Sequence, residues 1–357
     1  MKCRTILWIV LPLLFLLFPS SINYAADNDF EFRVEPIFTN TQIGQQGYYH
    51  FKGNPNETVT LQARVINDSQ NELTVNIRGL NAYSGNQGII YQEKPVLEGT
   101  AITNPSFQFN QAVTTPPNIT LGPLESKVVD FVINTPAING TLLGSMEFRV
   151  FQGTEKLNQK EDNSQLLIDQ YKAINLGVQV DVSDYKETTA LKLGDPLFSP
   201  EQMAIMVPFD NSHPVIVPNI TGRYKVTKSD DESFSLSGDI PSMKMAPMTA
   251  FYYPIRWSGE TLGPGDYHVT VTLDVNGNTQ TYTESIAIKN KQVTETQKKM
   301  EERGEIEVEP NTFPWTAVLI GILLLAVIFI LVFMMRKRKP KKLRKNRKYP
   351  GQNPDEL

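Results

Sequence analysis

Between residues 30 and 288 the chain is built from short stretches in which apolar and polar positions alternate. In Val59-Thr-Leu-Gln-Ala-Arg-Val65 the residues Val59, Leu61, Ala63 and Val65 share one face, while Thr60, Gln62 and Arg64 share the other. A period of two is the mark of a half-buried β-strand. Leu73, Val75 and Ile77 repeat the pattern, as do Val129, Phe131 and Ile133, and later Ile174, Leu176, Val178, Val180 and Val182. Gly, Pro and Asn break these runs about every ten residues, the rhythm of antiparallel sandwiches. The clearest hairpin is predicted where Tyr267, Val269, Val271, Leu273 and Val275 run into Asn276-Gly277 and return to Ile286 and Ile288. Asn-Gly accepts positive φ at both central positions of a type I′ turn.

The alternation lapses once, in the polar stretch from Phe151 to Ser164. Residues 153–165 read either as an interdomain linker or as one long hairpin. The expected fold is therefore all-β, with two tandem immunoglobulin-like antiparallel sandwiches at 27–152 and 166–288. After Ile288 the pattern becomes charged rather than alternating. Glu295 and Lys299 sit at i,i+4 spacing, which allows a short helix, but Val293 and Met300 alone make no coiled-coil seam. Residues 289–314 are expected to form a charged stalk.

Both ends of the chain are addresses. Trp315 to Met335 is an uncharged apolar run, and a helix of about 21 residues just crosses a bilayer. Arg336 to Lys348 follows at once, and ten of these thirteen residues are Lys or Arg. The positive-inside bias then puts the tail, 336–357, in the cytoplasm and the β-domains outside. Residues 1–26, with basic Lys2 and Arg4 ahead of an apolar core, read as a cleaved signal peptide. No Leu-Pro-x-Thr-Gly motif precedes the apolar run, so a permanent membrane anchor is expected and not a covalent wall link.

Charge and cysteine usage sharpen that picture. Ten Lys and Arg in the tail and two in the leader, set against Asp355 and Glu356, turn the whole-chain charge of −4 into −14 for residues 27–314. An acidic ectodomain argues against nucleic acid or anionic lipid as its ligand. The single cysteine, Cys3, lies in the leader, and a cysteine-free surface protein of this size points to a Gram-positive bacterium. No two of the three histidines, His50, His213 and His268, sit at metal-ligand spacing. There is no nucleophile elbow, zincin helix or phosphate loop. An enzyme is not expected, nor is any metal or cofactor. The five Asn-x-Ser/Thr tripeptides are of the kind that arise by chance in an Asn- and Thr-rich chain.

Several segments resemble one family. Phe32-Arg-Val-Glu-Pro-Ile37, Gly47-Tyr-Tyr-His-Phe51, Ala82 to Tyr91, Leu121-Gly-Pro-Leu124 and Thr141 to Met146 resemble the first domain of the WxL-interacting proteins of Gram-positive bacteria. Asn219-Ile-Thr-Gly222, Met243-Lys-Met-Ala-Pro247 and Gly265-Asp-Tyr267 resemble the second domain of the same family. Two departures stand out: Met248-Thr249 follows Met-Ala-Pro where the family tends to have Asn-Ser, and Tyr282 stands where Trp is frequent. The resemblance implies an adaptor whose first domain binds peptidoglycan and whose second binds host surface proteins, acting beside WxL-domain proteins.

Candidate contacts follow from residue chemistry. Neutral glycan is held by aromatic faces with amide groups reading hydroxyls, which singles out Tyr48, Tyr49, Tyr83, Asn86, Gln87 and Tyr91. Met243, Met245, Met248, Tyr252, Tyr253 and Trp257 could form an apolar protein-binding patch. A second reading of the whole chain is a single-pass receptor or accessory subunit that senses extracellular polysaccharide.

Overall fold

A computed structural model describes residues 31–44, 46–158, 165–185, 190–256, 263–303, 323–330 and 333. The first half of the chain builds two facing sheets. One has the strand order β1 (Phe32–Ile37), β3 (Thr58–Asn67), β9 (Ser126–Asn134), β7 (Val113–Thr114). The other runs β2 (Tyr49–Lys52), β11 (Gln165–Asp181), β10 (Thr141–Asn158), β4 (Leu73–Gly85), β5 (Gly88–Gln92), with β8 (Asn118–Leu121) paired to the start of β4. Their inner faces share one core. The alternating Leu61, Ala63 and Val65 of β3 and Phe131 and Ile133 of β9 meet Val75, Phe148, Val178 and Val180 from the opposite sheet.

The second half repeats this plan. Here β14 (Ala204–Asn211) and β17 (Thr249–Arg256) pair, with β12 (Lys192–Leu193) and β13 (Leu197–Ser199) also on β14. They face a sheet in the order β16 (Asp231–Met245), β15 (Val217–Lys228), β18 (Gly265–Val275), β19 (Asn278–Ile288). β16-β15-β18-β19 corresponds to β8-β4-β10-β11, and β14-β17 to β3-β9. Even the corners match. Asn67 and Asn211, both 0% exposed, end the equivalent strands β3 and β14. Asn67 Nδ2 donates to the carbonyl of Gly122 at 2.9 Å, and Asn211 Nδ2 to that of Ala246 at 2.8 Å. Each carbonyl opens a turn with Pro second and a positive-φ residue third, Leu124 (φ 54°) or Met248 (φ 49°).

Asn276 and Gly277, at φ 52° and 85°, make the primed turn expected between β18 and β19, whose register runs from Val275↔Asn278 to Gly265↔Ile288. The boundary stretch is a hairpin: β10 and β11 stay paired from Thr141↔Asp181 out to Asn158↔Gln165. β11 consequently belongs to the first core, so the hairpin reading of 153–165 fits the strand pairing, and the first sandwich takes in residues up to 181. Sequence proximity suggested a break because β10 and β11 run far beyond β4, which pairs with β10 only over Gly144–Val150.

The two halves are joined through a buried seam. Residues Ala101 and Ile102 form β6, a strand of the first half that pairs with Ala250 and Thr249 of β17. Ser84 Oγ accepts from the Ala246 amide at 2.9 Å and lies 2.5 Å from Thr249 Oγ1, which donates to the Ala246 carbonyl at 2.8 Å. Ser84 and Thr249 are both 0% exposed. A Cβ on Gly140 would sit 2.0 Å from the Pro214 carbonyl oxygen, so only glycine permits that approach.

After β19 the chain forms helix α1 (Asn290–Glu302). Val293 packs into the second core, Thr296 is 2% exposed, and Lys299 pairs with Glu201. The first part of the expected stalk is thus docked, because one helical turn brings Val293 and Thr296 onto the same face. In the separate C-terminal unit, residues 323–330 are helical with exposed apolar side chains. No helix among the described residues is long and apolar enough to cross a membrane. The expected signal peptide, most of the span at 315–335 and the basic tail lie outside the described residues.

Candidate functional site

The outer face of the β2-β11-β10-β4-β5 sheet gathers the first half's unspent polar and aromatic side chains. The inward alternation of Ile174, Leu176, Val178 and Val180 on β11 sends Tyr171, Ala173, Asn175, Gly177, Gln179 and Asp181 outward. Next to them, β10 presents Ser145, Glu147, Arg149 and Phe151, in register with Gly177, Asn175, Ala173 and Tyr171.

At one end, His50 of β2 lies opposite Gln179, with its Nε2 2.7 Å from Asp181 Oδ2 and 3.1 Å from Gln179 Nε2. Thr141 Oγ1 donates to the other Asp181 oxygen at 2.9 Å. Tyr48 stacks on His50 at 6.3 Å between ring centroids, 19° from parallel. Gln42 fastens this strand entry: its side chain accepts from the His50 amide at 3.1 Å and donates to the Tyr48 carbonyl at 3.0 Å.

Tyr91 on β5 is three strands from Gly177 in pairing order, about 14 Å across the sheet backbone to backbone, and its long side chain reaches back over the intervening strands. Its hydroxyl comes within 3.9 Å of where a Cβ on Gly177 would stand, and Tyr48 Cβ within 3.3 Å. Tyr48 and Tyr91 therefore converge over Gly177. Burial first, and the neighbouring Tyr48 second, push the Tyr91 phenol up from its ordinary range. Beneath them Ser145 is 0% exposed and its Oγ has no hydrogen-bond partner.

Further along, Arg78 Nε donates to Glu147 at 2.5 Å and its Nη1 to Glu93 at 2.6 Å. At the far end the Arg149 guanidinium lies 4.6 Å above the Tyr171 ring, which meets Phe151 edge-on at 5.5 Å. Tyr171 is 41% and Phe151 49% exposed. The face thus has aromatic pairs at both ends, with a floor of Gly, Ala, Ser and Asn between.

Of the six residues expected to touch glycan, only Tyr48 and Tyr91 belong to this face. Tyr49, 1% exposed, points inward; its hydroxyl donates to the Gln62 carbonyl at 2.5 Å, and burial raises its pKa. Tyr83 is 4% exposed. Asn86 and Gln87 tip the β4-β5 hairpin beside the domain seam, where Gly88 comes close to the Lys244 backbone. The strand period explains the split of Tyr48 from Tyr49. Tyr171 and Gln179 escape the sequence reading because β11 falls after the expected boundary, while His50 and Phe151 join the face only through their pairing with β11.

The expected apolar protein-binding patch is not a surface. Met243, Met245 and Tyr253 belong to the second core, Tyr253 stacking on Phe209 at 5.3 Å. Met248 packs against the first core across the seam, and Tyr252 closes over Gly99. Trp257 lies outside the described residues. Met-rich segments fill seams as readily as they make surfaces. What the second half does expose is the outer face of β15 and β18. There a depression of about 630 Å³ is lined by Arg223, Lys225, Ser237, Asp239, Thr270 and Thr272 among others. Among the described residues no cluster of His, Cys, Asp and Glu could hold a metal.

Two family models match in succession. Residues 32–150 match the peptidoglycan binding domain of WxL-interacting proteins, and residues 163–298 match the host binding domain of the same family. The second match begins within the β10-β11 hairpin, so the family boundary, like the alternation pattern, falls short of the structural one. No curated protein matches the chain. Among solved structures the chain is similar to the class 5 fimbriae chaperone CfaA, at 10% identity and TM-score 0.31 over 71% of this chain and 98% of that one. It is similar also to the YadV chaperone, at 10% identity and TM-score 0.30, covering 72% and 100% of the two chains. For the E. coli chaperone DraB the figures are 14%, 0.28, 72% and 99%. Likeness at these levels says nothing about ligand or mechanism.

Proposed function

Since this chain belongs to the WxL-interacting protein family, with its peptidoglycan binding domain followed by its host binding domain, we propose that it is a single-pass cell-surface adaptor. The first domain holds peptidoglycan, the second engages WxL-domain proteins or host surface proteins, and a C-terminal helix anchors both to the membrane. The observation that carries this reading is the order of the two family matches over most of the β region. The paired facing sheets support the finer description as tandem immunoglobulin-like sandwiches. The apolar run from Trp315 to Met335 and the basic block behind it support the anchor and the cytoplasmic tail. The seam supports a fixed relation between the two binding surfaces, as a bridge requires.

Detergent-extracted full-length protein is expected to sediment with insoluble cell wall and, separately, to retain a purified WxL-domain protein. Failure of both would end the adaptor reading. Topology can be read with single cysteines, because Cys3 is the chain's only one. In a Cys3→Ser background, Ser229→Cys should be labelled by a membrane-impermeant maleimide on intact cells, and Asn353→Cys only after permeabilisation.

A further inference from the structure

The aromatic pairs on the first domain's outer face are not demanded by the fold. The equivalent strand of the second domain, β19, carries Thr279, Thr281, Thr283 and Ser285 on its outer face, cross-paired to β18 by hydroxyl contacts such as Thr270 to Thr283 at 3.2 Å. The same backbone plan is thus satisfied by small hydroxyl residues. On β10 and β11, large aromatics are left in water instead, and their exposure costs free energy without a folding return.

We propose that this face is the seat of an uncharged polysaccharide strand, the glycan of peptidoglycan, lying along β11 from Tyr48 and Tyr91 to Tyr171 and Phe151. The proposal rests on the peptidoglycan-binding reading above and assigns that function its site. Three physical features select a glycan chain. First, from Gly177 to Tyr171 is about 20 Å along the strand, a length for several sugars and not for one. Second, the ends offer ring faces for the apolar sides of sugars, and the rings are held in place beforehand. Tyr48 is stacked on His50, and Tyr171 is fixed by Arg149 and Phe151. Preorganised side chains lose little entropy on binding. Third, the middle is low and polar. Ala173 and Asn175 are both exposed and leave room between the two aromatic ends. The charged side chains are engaged with one another, Arg78 with Glu93 and Glu147, Arg149 beside Glu147, and Asp181 held by His50, Thr141 and Gln179, which favours a neutral ligand over an anionic wall polymer.

The test is calorimetric titration of full-length protein with soluble glycan strands freed of their peptide stems by amidase and then coupled to methylamine, so that each lactyl carboxylate the amidase uncovers is returned to a neutral amide. Tyr171→Ala and Tyr48→Ala should each weaken binding about tenfold, the size of one lost aromatic contact. Gly177→Val, which puts methyls into the floor, should weaken it at least as much. Lys225→Ala, on the second domain's outer face, should change nothing. Binding of Tyr171→Ala and Tyr48→Ala as tight as wild type would overturn the proposal. So would a wild-type protein that sediments with whole cell wall but ignores stem-free glycan, since the ligand would then be the peptide. A wild-type protein that does not sediment with cell wall at all would instead sink the peptidoglycan-binding reading on which the proposal rests.

Discussion

At Asn67 and Asn211 a single buried amide fastens the end of a strand to the turn that leads into its neighbour. Asn211 accepts from the His213 amide at 3.0 Å and donates to Val215 and Ala246. Asn211→Ala would leave a buried amide and two carbonyls short of partners, at a cost of about 1–3 kcal/mol. Urea unfolding should read this as a lower midpoint at unchanged slope. Tyr49 makes a pH prediction. In the unfolded chain its phenol ionises near pH 10, whereas burial holds the folded phenol protonated above that. The unfolded state therefore binds fewer protons at high pH, and stability present below about pH 10 is lost as pH rises beyond it. Tyr49→Phe should flatten this alkaline loss while lowering stability at neutral pH through the lost bond to Gln62.

At the scale of elements, alternation identified the strands because each has one wet and one dry face. It could not say which strands share a sheet. β11 alternates as well from Ile174 to Val182 as any strand of the second domain, and only its pairing with β10 and β2 assigns it to the first. Helix α1 carries one apolar anchor, too little for a periodic signal, yet the second core accepts it. Val293→Ala should cost about 1 kcal/mol, and it should raise hydrogen exchange in residues 290–299 before that of the strands. In the β18-β19 turn, Gly277 holds φ 85°. Gly277→Ala should cost about 1 kcal/mol, seen as a lower melting temperature.

For the whole β region, the consequential finding is the seam. Ser84, Ala246 and Thr249 form a closed polar cluster between two cores, flanked by Ala82, Leu143 and the strand β6. Such a seam predicts that the two domains melt in one transition by calorimetry. Gly140→Val, which drives a side chain into the Pro214 carbonyl, should split that transition into two and leave each domain's strands intact by circular dichroism. Ser84→Ala should lower stability by about 1–3 kcal/mol, because the Ala246 amide loses its buried acceptor.

The sequence by itself determined the all-β class, the period of nearly every strand, the Asn276-Gly277 turn and the family. Each of these is written in neighbouring residues, through side-chain alternation, turn chemistry or short motifs. Tyr48 and Tyr91 could be chosen as aromatic candidates on residue type. Tertiary structure alone decided that Tyr49 points inward and that the Tyr91 side chain reaches over toward Gly177. It also decided that the methionine segment closes a seam and that Phe151 and Tyr171 complete the opposite end of the face. These facts depend on pairing between strands far apart in the chain, which leaves no local trace in the order of residues.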